Sequence, residues 1–524
     1  MAHSLHPDRG KKDNRALFFV LVLLICGIAF TVLQYRQASA AKTETLSDLP
    51  VLKYAWHTFL GSSTSIDGGQ NLGTDSDGNI YVVGISNEEW LGPAGQAPLH
   101  AAGGSNIVIV KLNKHGAYQW HTYYGSPSSN GVWGIAADAN GDVYITGFSS
   151  ESWEGPQSQS PLHAFDGSWN LFVLKLNKDG AYQWHTFYGK YNDFGHGIAL
   201  DGKGGLYIVG KSYTSWLGDG NTEPIYPFYS NPIDNINMLV LKLSTAGAYQ
   251  WHAFFGAGET DIAWEVAADG AGGVYVAGNS GDWKLDPGPS PKHQHSGESD
   301  IVVLKLNEDG AYQWHTFYGN EGGDDGLDLS VDDMRNVYVS GASAASWLGD
   351  GNTQPLHPFS GGEYDISVLS LSEDGGYRWH TFFGSGEGQW WEEAGHGITA
   401  TRDGLVVVVG HSSQTWDGDN GTSPVTPFHG AVDTFLLVLD SAGAYQQHRF
   451  YGAYAGGGYG WNEPNRDICT DNQGSAISTG SAPTNWLGDG DALPLNPHSE
   501  GNNYDIEVIK LARLNRIFLP AVTR

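Results

Sequence analysis

Carboxylates, imidazoles, indoles and one guanidinium fall at two adjacent positions when the internal repeats of this 524-residue chain are superposed. One position reads Asn71, Gly134, Gly197, Glu265, Asp328, Gly397 and Asp467. The residue before it reads Gln70, Trp133, His196, Trp264, Leu327, His396 and Arg466. Aromatic walls with a few convergent polar groups suit a ligand pocket. Two carboxylates near two histidines would also permit acid–base or metal chemistry. The predicted ligand-binding set is Asn71, Trp133, His196, Trp264, Glu265, Asp328, His396, Arg466 and Asp467. The segments just before these positions add Trp390, Trp391, Glu392, Glu393, Trp461 and Glu463. Solvated loop decoration would account for the same residues without a ligand. No catalytic residue is assigned, because the sequence holds no Gly-x-Ser-x-Gly, His-Glu-x-x-His, phosphate loop or Cys-x-x-Cys.

The register for this superposition comes from a second pattern. Trp-His-Thr-Phe-Tyr-Gly stands whole at positions 184–189 and 314–319. Variants start at Trp56, Trp120, Trp251 and Trp379, and a divergent copy starts at Gln447, at intervals of 64, 64, 67, 63, 65 and 68 residues. A fixed period of this kind marks a repeat architecture whose units bury their faces on one another. Each unit reads as four short strands, a to d. In the third they are Gly197–Asp201, Leu206–Gly210, Asn237–Leu243 and Tyr249–Phe255, with Gly-, Asn- and Asp-bearing turns between a and b and between c and d. Seven such units predict an all-β fold, a seven-bladed β-propeller of four-stranded blades. The first strand is a lone d, Tyr54–Leu60, and the last is a c, Tyr504–Leu511. The N-terminal outer strand is therefore expected to complete the last blade and close the ring, hiding its open edges.

Three motifs carry a family resemblance. Asp-x-x-Gly-x-x-Tyr-x-x-Gly at 138–147, Asp-Ile-Val-Val-Leu-Lys-Leu-Asn-x-x-Gly at 300–310 and Trp-His-Thr-Phe-Tyr-Gly together resemble the bacterial β-propeller repeats called SBBP. The resemblance covers roughly 54–515. It implies the propeller fold and an exported or surface protein, without specifying biochemistry. The last unit departs most, with Gln447 for Trp, Arg449 for Thr and an incomplete turn before Ser475.

Other repeated residues are expected to be scaffold. His57, His121, His185, His252, His315, His380 and His448 stand one per blade on the outer strand, far from one another, where a polar bond between blades is their expected task. The long b–c loops carry Trp90, Trp153, Trp216, Trp283, Trp347, Trp416 and Trp486, which could form an aromatic platform or pin each loop to its own blade. In the same loops Asp219, Asp350, Asp417, Asp419, Asp489 and Asp491 alternate with Gly and Asn, as in part of a calcium loop. They lack its remaining spacing and closing Glu, and turn formation explains them equally. Ca2+ is the one cofactor these residues suggest.

The formal net charge of −30 leaves no basic stripe for phosphates, which argues against nucleic acid. Cys26 and Cys469 are not expected to pair. Ala16–Leu33 is an uncharged 18-residue run preceded by Arg9, Lys11, Lys12 and Arg15. It predicts an N-terminal hydrophobic helix that directs export of the repeats, either as a retained membrane anchor or as a signal cleaved near Ala40, after Ala38-Ser39-Ala40. The expected organisation is 1–15 cytoplasmic, 16–33 anchor or signal, 34–50 linker, 51–515 propeller and 516–524 tail. The functional expectation is a monomeric, non-catalytic, extracytoplasmic scaffold that binds an unknown extracellular protein or glycan through its loop-bearing face. An enzyme acting on polysaccharide at the channel mouth and a purely structural surface protein are the alternatives.

Overall fold

The computed structural model describes residues 52–101, 106–230, 236–256, 260–281, 283, 290–386, 393–430, 432–452, 466–499, 501 and 504–513. They belong to one unit, Leu52–Arg513. The expected N-terminal helix, Cys26, the linker and the tail lie outside the described residues, as do Trp390, Trp391, Glu392, Trp461 and Glu463. Among the described residues no helix is long and apolar enough to cross a membrane.

Seven four-stranded antiparallel sheets are formed, each a blade. Blades 1 to 6 span residues 67–124, 130–188, 194–255, 262–318, 324–383 and 393–451, with strands a, b, c and d in chain order. Blade 7 takes a, b and c from Asp467–Thr470, Ala476–Ala482 and Asp505–Arg513, and d from the other end of the chain, Leu52–Leu60. This clasp pairs antiparallel from Leu52 opposite Arg513 to Leu60 opposite Ile506. The a strands touch their counterparts on both sides around the whole ring, so they line its centre.

The apolar strand residues are spent between blades. One cluster joins Tyr144, Leu171 and Val173 of blade 2 to Ile208, Leu239 and Leu241 of blade 3. The same kind of cluster joins blades 1 and 2, 3 and 4, 4 and 5, 5 and 6, and 7 and 1. Burial on both faces explains why strands b and c are nearly continuous Val, Ile and Leu rather than alternating.

Two expectations need correction. Strand a of blade 3 begins at Phe194, not Gly197. Its Phe-Gly-His-Gly start reads as loop in sequence, yet it pairs with strand b as an irregular strand. The turn before Ser475 is complete: Gly474 N–H donates to the Asp471 carbonyl at 2.9 Å, and Asp471 Oδ1 accepts from Gln473 and Ser475 N–H. The aspartate makes this turn.

Candidate functional site

Each a strand of blades 1 to 6 is broken at the same place. Pairing with strand b shifts register between Gly69 and Asn71, Val132 and Gly134, Gly195 and Ile198, Ala263 and Glu265, Gly326 and Asp328, and Gly395 and Gly397. The skipped residues are Gln70, Trp133, His196, Trp264, Leu327 and His396, with Gly197 also skipped in blade 3. A β-bulge of this kind re-aims side chains and is common beside active sites. Here it turns two successive residues of each blade toward the ring's centre. Its sequence trace is the glycine ending strand b. At Gly84, Gly147, Gly210, Gly278, Gly341 and Gly410 a Cβ would stand only 1.7–2.1 Å from a strand-a carbonyl oxygen, so no other residue fits beneath the bulge.

All nine predicted binding residues line one cavity of about 200 Å³, together with Gln70 and Leu327. A second cavity of about 190 Å³ lies deeper, lined by Leu72, Ile135, Ile198, Leu329, Ile398 and Ile468 with Ser330, Thr399 and Cys469. The two share Asn71, Glu265, Asp328 and Asp467, which form the waist between them. Sequence reasoning named the upper ring and missed the lower chamber. The alternate strand-a residues behind the ring, mostly isoleucine and leucine, are the signal that could have found it.

Three carboxylates converge at the waist, each engaging the backbone. Asp328 accepts N–H of Leu329 at 2.7 Å and of Ile398, on blade 6, at 2.5 Å. Asp467 does the same with Ile468 at 2.7 Å and Leu72 of blade 1 at 3.0 Å. Glu265 accepts Val266 N–H through Oε1 at 2.9 Å. That oxygen occupies the space a Cβ on Gly197 would need. Burial raises all three proton affinities. Mutual repulsion adds to this for Glu265, next to Asp467, and for Asp328, next to both. They therefore titrate as one unit.

Aromatic rings complete the lining. His196 stacks on Trp264 with centroids 4.5 Å apart and meets Trp133 edge-on at 5.0 Å. Trp133 continues outward to Phe148 at 5.0 Å, and Phe148 to Trp169 and Phe194 at 4.9 Å each. His396 stacks on His411 at 4.9 Å. Glu393, expected beside the mouth, is instead a fully buried strand residue that accepts Ser385 N–H and the Ser412 hydroxyl.

The remaining candidates serve the scaffold. All seven loop tryptophans are buried. Each stacks on its own blade's outer-strand histidine, at centroid distances from 3.7 Å (His57 and Trp486) to 4.7 Å (His315 and Trp283). In six of these pairs the carbonyl of the same tryptophan accepts the histidine Nε2–H, as between His185 and Trp153 at 3.0 Å. A tyrosine hydroxyl donates to Nδ1, as from Tyr182 at 2.7 Å. Burial lowers His57, His121, His185, His252, His380 and His448 to about 4, so the rings are neutral. The calcium candidates fall on four blades, with Asp417 and Asp419 sharing blade 6 and Asp489 and Asp491 sharing blade 7. Asp219, Asp350 and Asp489 accept hydroxyls from Tyr188, Tyr318 and Tyr451 of the preceding blade at 3.2, 3.0 and 3.0 Å. Among the described residues no three His, Cys, Asp or Glu side chains converge in a metal-holding group.

The SBBP family profile, described as a beta-propeller repeat, matches residues 55–89. The chain therefore carries an SBBP-type β-propeller repeat at this stretch. The matched stretch runs from the clasp through strands a and b of blade 1, so the SBBP sequence unit straddles two blades. That phase offset is what leaves a d strand at one end of the ring's sequence and a c strand at the other. An uncharacterized WD repeat-containing protein of Acanthamoeba polyphaga mimivirus is 22% identical over 284 residues, 48% of this chain but only 20% of that protein's length. A solved protein of unknown function from Dyadobacter fermentans is 10% identical, covers 89% of this chain and 100% of its own, and superposes with a TM-score of 0.41. The β-propeller domain of the Trilobed protease from Pyrococcus furiosus is 8% identical, with coverages of 88% and 98% and a TM-score of 0.38. At these identities and scores no activity carries over to this chain.

Proposed function

We propose that this propeller is a non-catalytic, extracytoplasmic scaffold that binds a ligand at its channel mouth. The supporting observation is where the blades differ. Outer-strand and loop residues repeat from blade to blade and are consumed in packing. The bulge residues vary, and the variable ones line a single cavity. Aromatic faces with a few convergent polar groups suit an oriented small ligand. A binding role also fits the carboxylates: Asp328 has both oxygens tied to backbone N–H groups, which suits a fixed acceptor wall better than a mobile acid. The basic-then-apolar stretch before the propeller supports placement outside the cytoplasm.

The test is a screen of glycans and small metabolites against the full chain and against His196→Ala, His396→Ala, Glu265→Ala and Asp328→Ala. Binding of at least one compound should fall tenfold or more in these variants. Binding unchanged in all four would remove the mouth as the site. Turnover of a bound compound, lost in the same variants, would replace the scaffold reading with an enzyme.

A further inference from the structure

His196 is 2% exposed and lines the mouth. Its Nδ1 lies 2.9 Å from the Ala263 carbonyl oxygen, which can only accept, so Nδ1 carries the proton. Burial, reinforced by the Lys211 cation, lowers the ring to about 3 and keeps it neutral. Nε2 is therefore a bare lone pair, and among the described residues it has no protein partner. Because this ring lines the cavity, a ligand that fills it must supply a donor to Nε2 or leave that acceptor unsatisfied.

The rest of the lining asks for the same thing. With all three ionised, Glu265, Asp328 and Asp467 outnumber Arg466, the one guanidinium or ammonium among the described lining residues, and a bound cation favours that ionised form over the protonated one. Glu265 engages protein through Oε1, leaving Oε2 open to a ligand. The Trp264 indole N–H, one donor of the wall, is already given to Asn279 Oδ1 at 2.7 Å. What faces the cavity is thus three carboxylates and the His196 acceptor among aromatic faces, with Gln70, Asn71 and Arg466 as the polar donors. An anion would be repelled. A neutral sugar could use the Gln70, Asn71 and Arg466 donors but would leave the carboxylate charge uncompensated. A cation bearing N–H groups satisfies acceptors and aromatic faces alike, donating to His196 and the carboxylates while its charge lies against indole faces. About 200 Å³ holds roughly seven water-sized groups.

We propose that the channel mouth binds a small protonated amine, with its ammonium group held between His196 Nε2 and the Glu265, Asp328 and Asp467 carboxylates. This rests on the mouth being the ligand site. The test is titration calorimetry on the full chain with n-butylamine, n-butylguanidine, tetramethylammonium, butyrate and glucose, repeated on Glu265→Gln and His196→Phe. Gln keeps the shape and removes the charge; Phe keeps the stack on Trp264 and removes the acceptor. Unchanged thermal unfolding of either variant makes it informative. Butylamine should bind at least tenfold more tightly than tetramethylammonium, which has no N–H, and butyrate should not bind. Each substitution should weaken butylamine at least tenfold. Butylguanidine matching butylamine would widen the class to N–H cations in general, within the proposal. Butylamine binding unaffected by both substitutions, or weaker than that of glucose or butyrate, would overturn it. If amines fail while another compound is lost in the mouth variants, the amine assignment alone falls. If no ligand depends on the mouth residues, the site itself falls.

Discussion

At the residue scale the buried carboxylates of the blade seams set a measurable pH dependence. Asp324 opens strand a of blade 5 and faces Asp300, which opens strand c of blade 4, across Gly319. A Cβ on that glycine would lie 2.5 Å from Asp300 Oδ1 and 2.7 Å from Asp324 Oδ2. Burial, with a contribution from Asp300, raises Asp324 to about 7, although Ser343 and Asn320 bond to it. The folded state therefore holds this proton more tightly than the unfolded chain, in which Asp titrates near 4. The stability it contributes is complete below about pH 4 and is lost as pH rises through 7. Asp324→Asn removes that loss. Its melting temperature minus that of the parent protein should climb between pH 4 and 7 and level off above. A difference that stays flat across this range would mean that Asp324 titrates normally. The amide has precedent in the molecule itself, since Asn106 and Asn130 hold the corresponding places between blades 1 and 2, where Asn130 Oδ1 accepts from Ser126 and Ser149.

At the scale of the element, blade 5 shows how the repeat tolerates change. In blades 1 to 4 a strand-c lysine lies over a strand-b tyrosine, with Nζ 4.7–5.0 Å from the ring centroid. It also donates to a carbonyl in the next blade's c–d turn, as Lys111 does to Lys178 at 2.8 Å. Blade 5 has Ser370 at that position, and Arg378 replaces the strand-d glutamine of blades 1 to 4. Arg378 donates to Ser370 Oγ at 2.7 Å and to the Ser441 carbonyl at 3.2 Å, and lies 5.8 Å from the Tyr338 centroid. One cation thus reaches the same place from the neighbouring strand. Arg378→Gln should cost about 1–2 kcal/mol, the scale of a charged hydrogen bond and a cation–π contact. Ser370→Lys with Arg378→Gln should recover most of it, and denaturant unfolding of the double-mutant cycle measures the coupling. Equal losses in the single and double variants would show that the two residues act separately. Strands b, c and d were legible in the sequence because their apolar runs and turns repeat. The mouth residues were legible as well, because the same register isolates the positions that vary. The bulge that aims them was not: Phe194-Gly195-His196-Gly197 carries no period-two pattern, and the only trace is a glycine one strand away. Nor was the aromatic wall beyond Trp133, since Phe148, Trp169 and Phe194 come from three separate segments that only blade packing brings together.

At the scale of the whole molecule the ring depends on one nine-residue strand, and the divergent copy of the repeat is built to receive it. Trp120, Trp251, Trp314 and Trp379 donate their indole N–H to a carbonyl in the next blade's c–d turn, as Trp379 does to Ser441 at 3.1 Å. Blade 7 has no c–d turn, because its d strand arrives from the other end of the chain. Gln447 stands where tryptophan would, and its amide reaches the Leu52 carbonyl, the first residue of the clasp, at 3.0 Å. Arg449, in place of threonine, donates to the same carbonyl at 3.4 Å and pairs with Asp489. The copy read from sequence as divergent is the one matched to the seam. Leu52, Phe59 and Leu60 are 0–3% exposed there. At ~1.5–3 kcal/mol for each buried side chain, removing them forfeits roughly 5–9 kcal/mol, comparable to the whole net stability of a typical domain, about 5–15 kcal/mol. Deletion through Leu60 would also leave the Asp505–Arg513 strand as an open edge, a template for pairing with another chain. The truncated protein should elute as oligomers in size-exclusion chromatography and melt at lower temperature without a single cooperative transition. A synthetic peptide spanning residues 50–62, supplied during refolding, should restore the monomer and the transition. A monomeric truncation with an unchanged melting temperature would mean that the six complete blades hold the ring without the clasp.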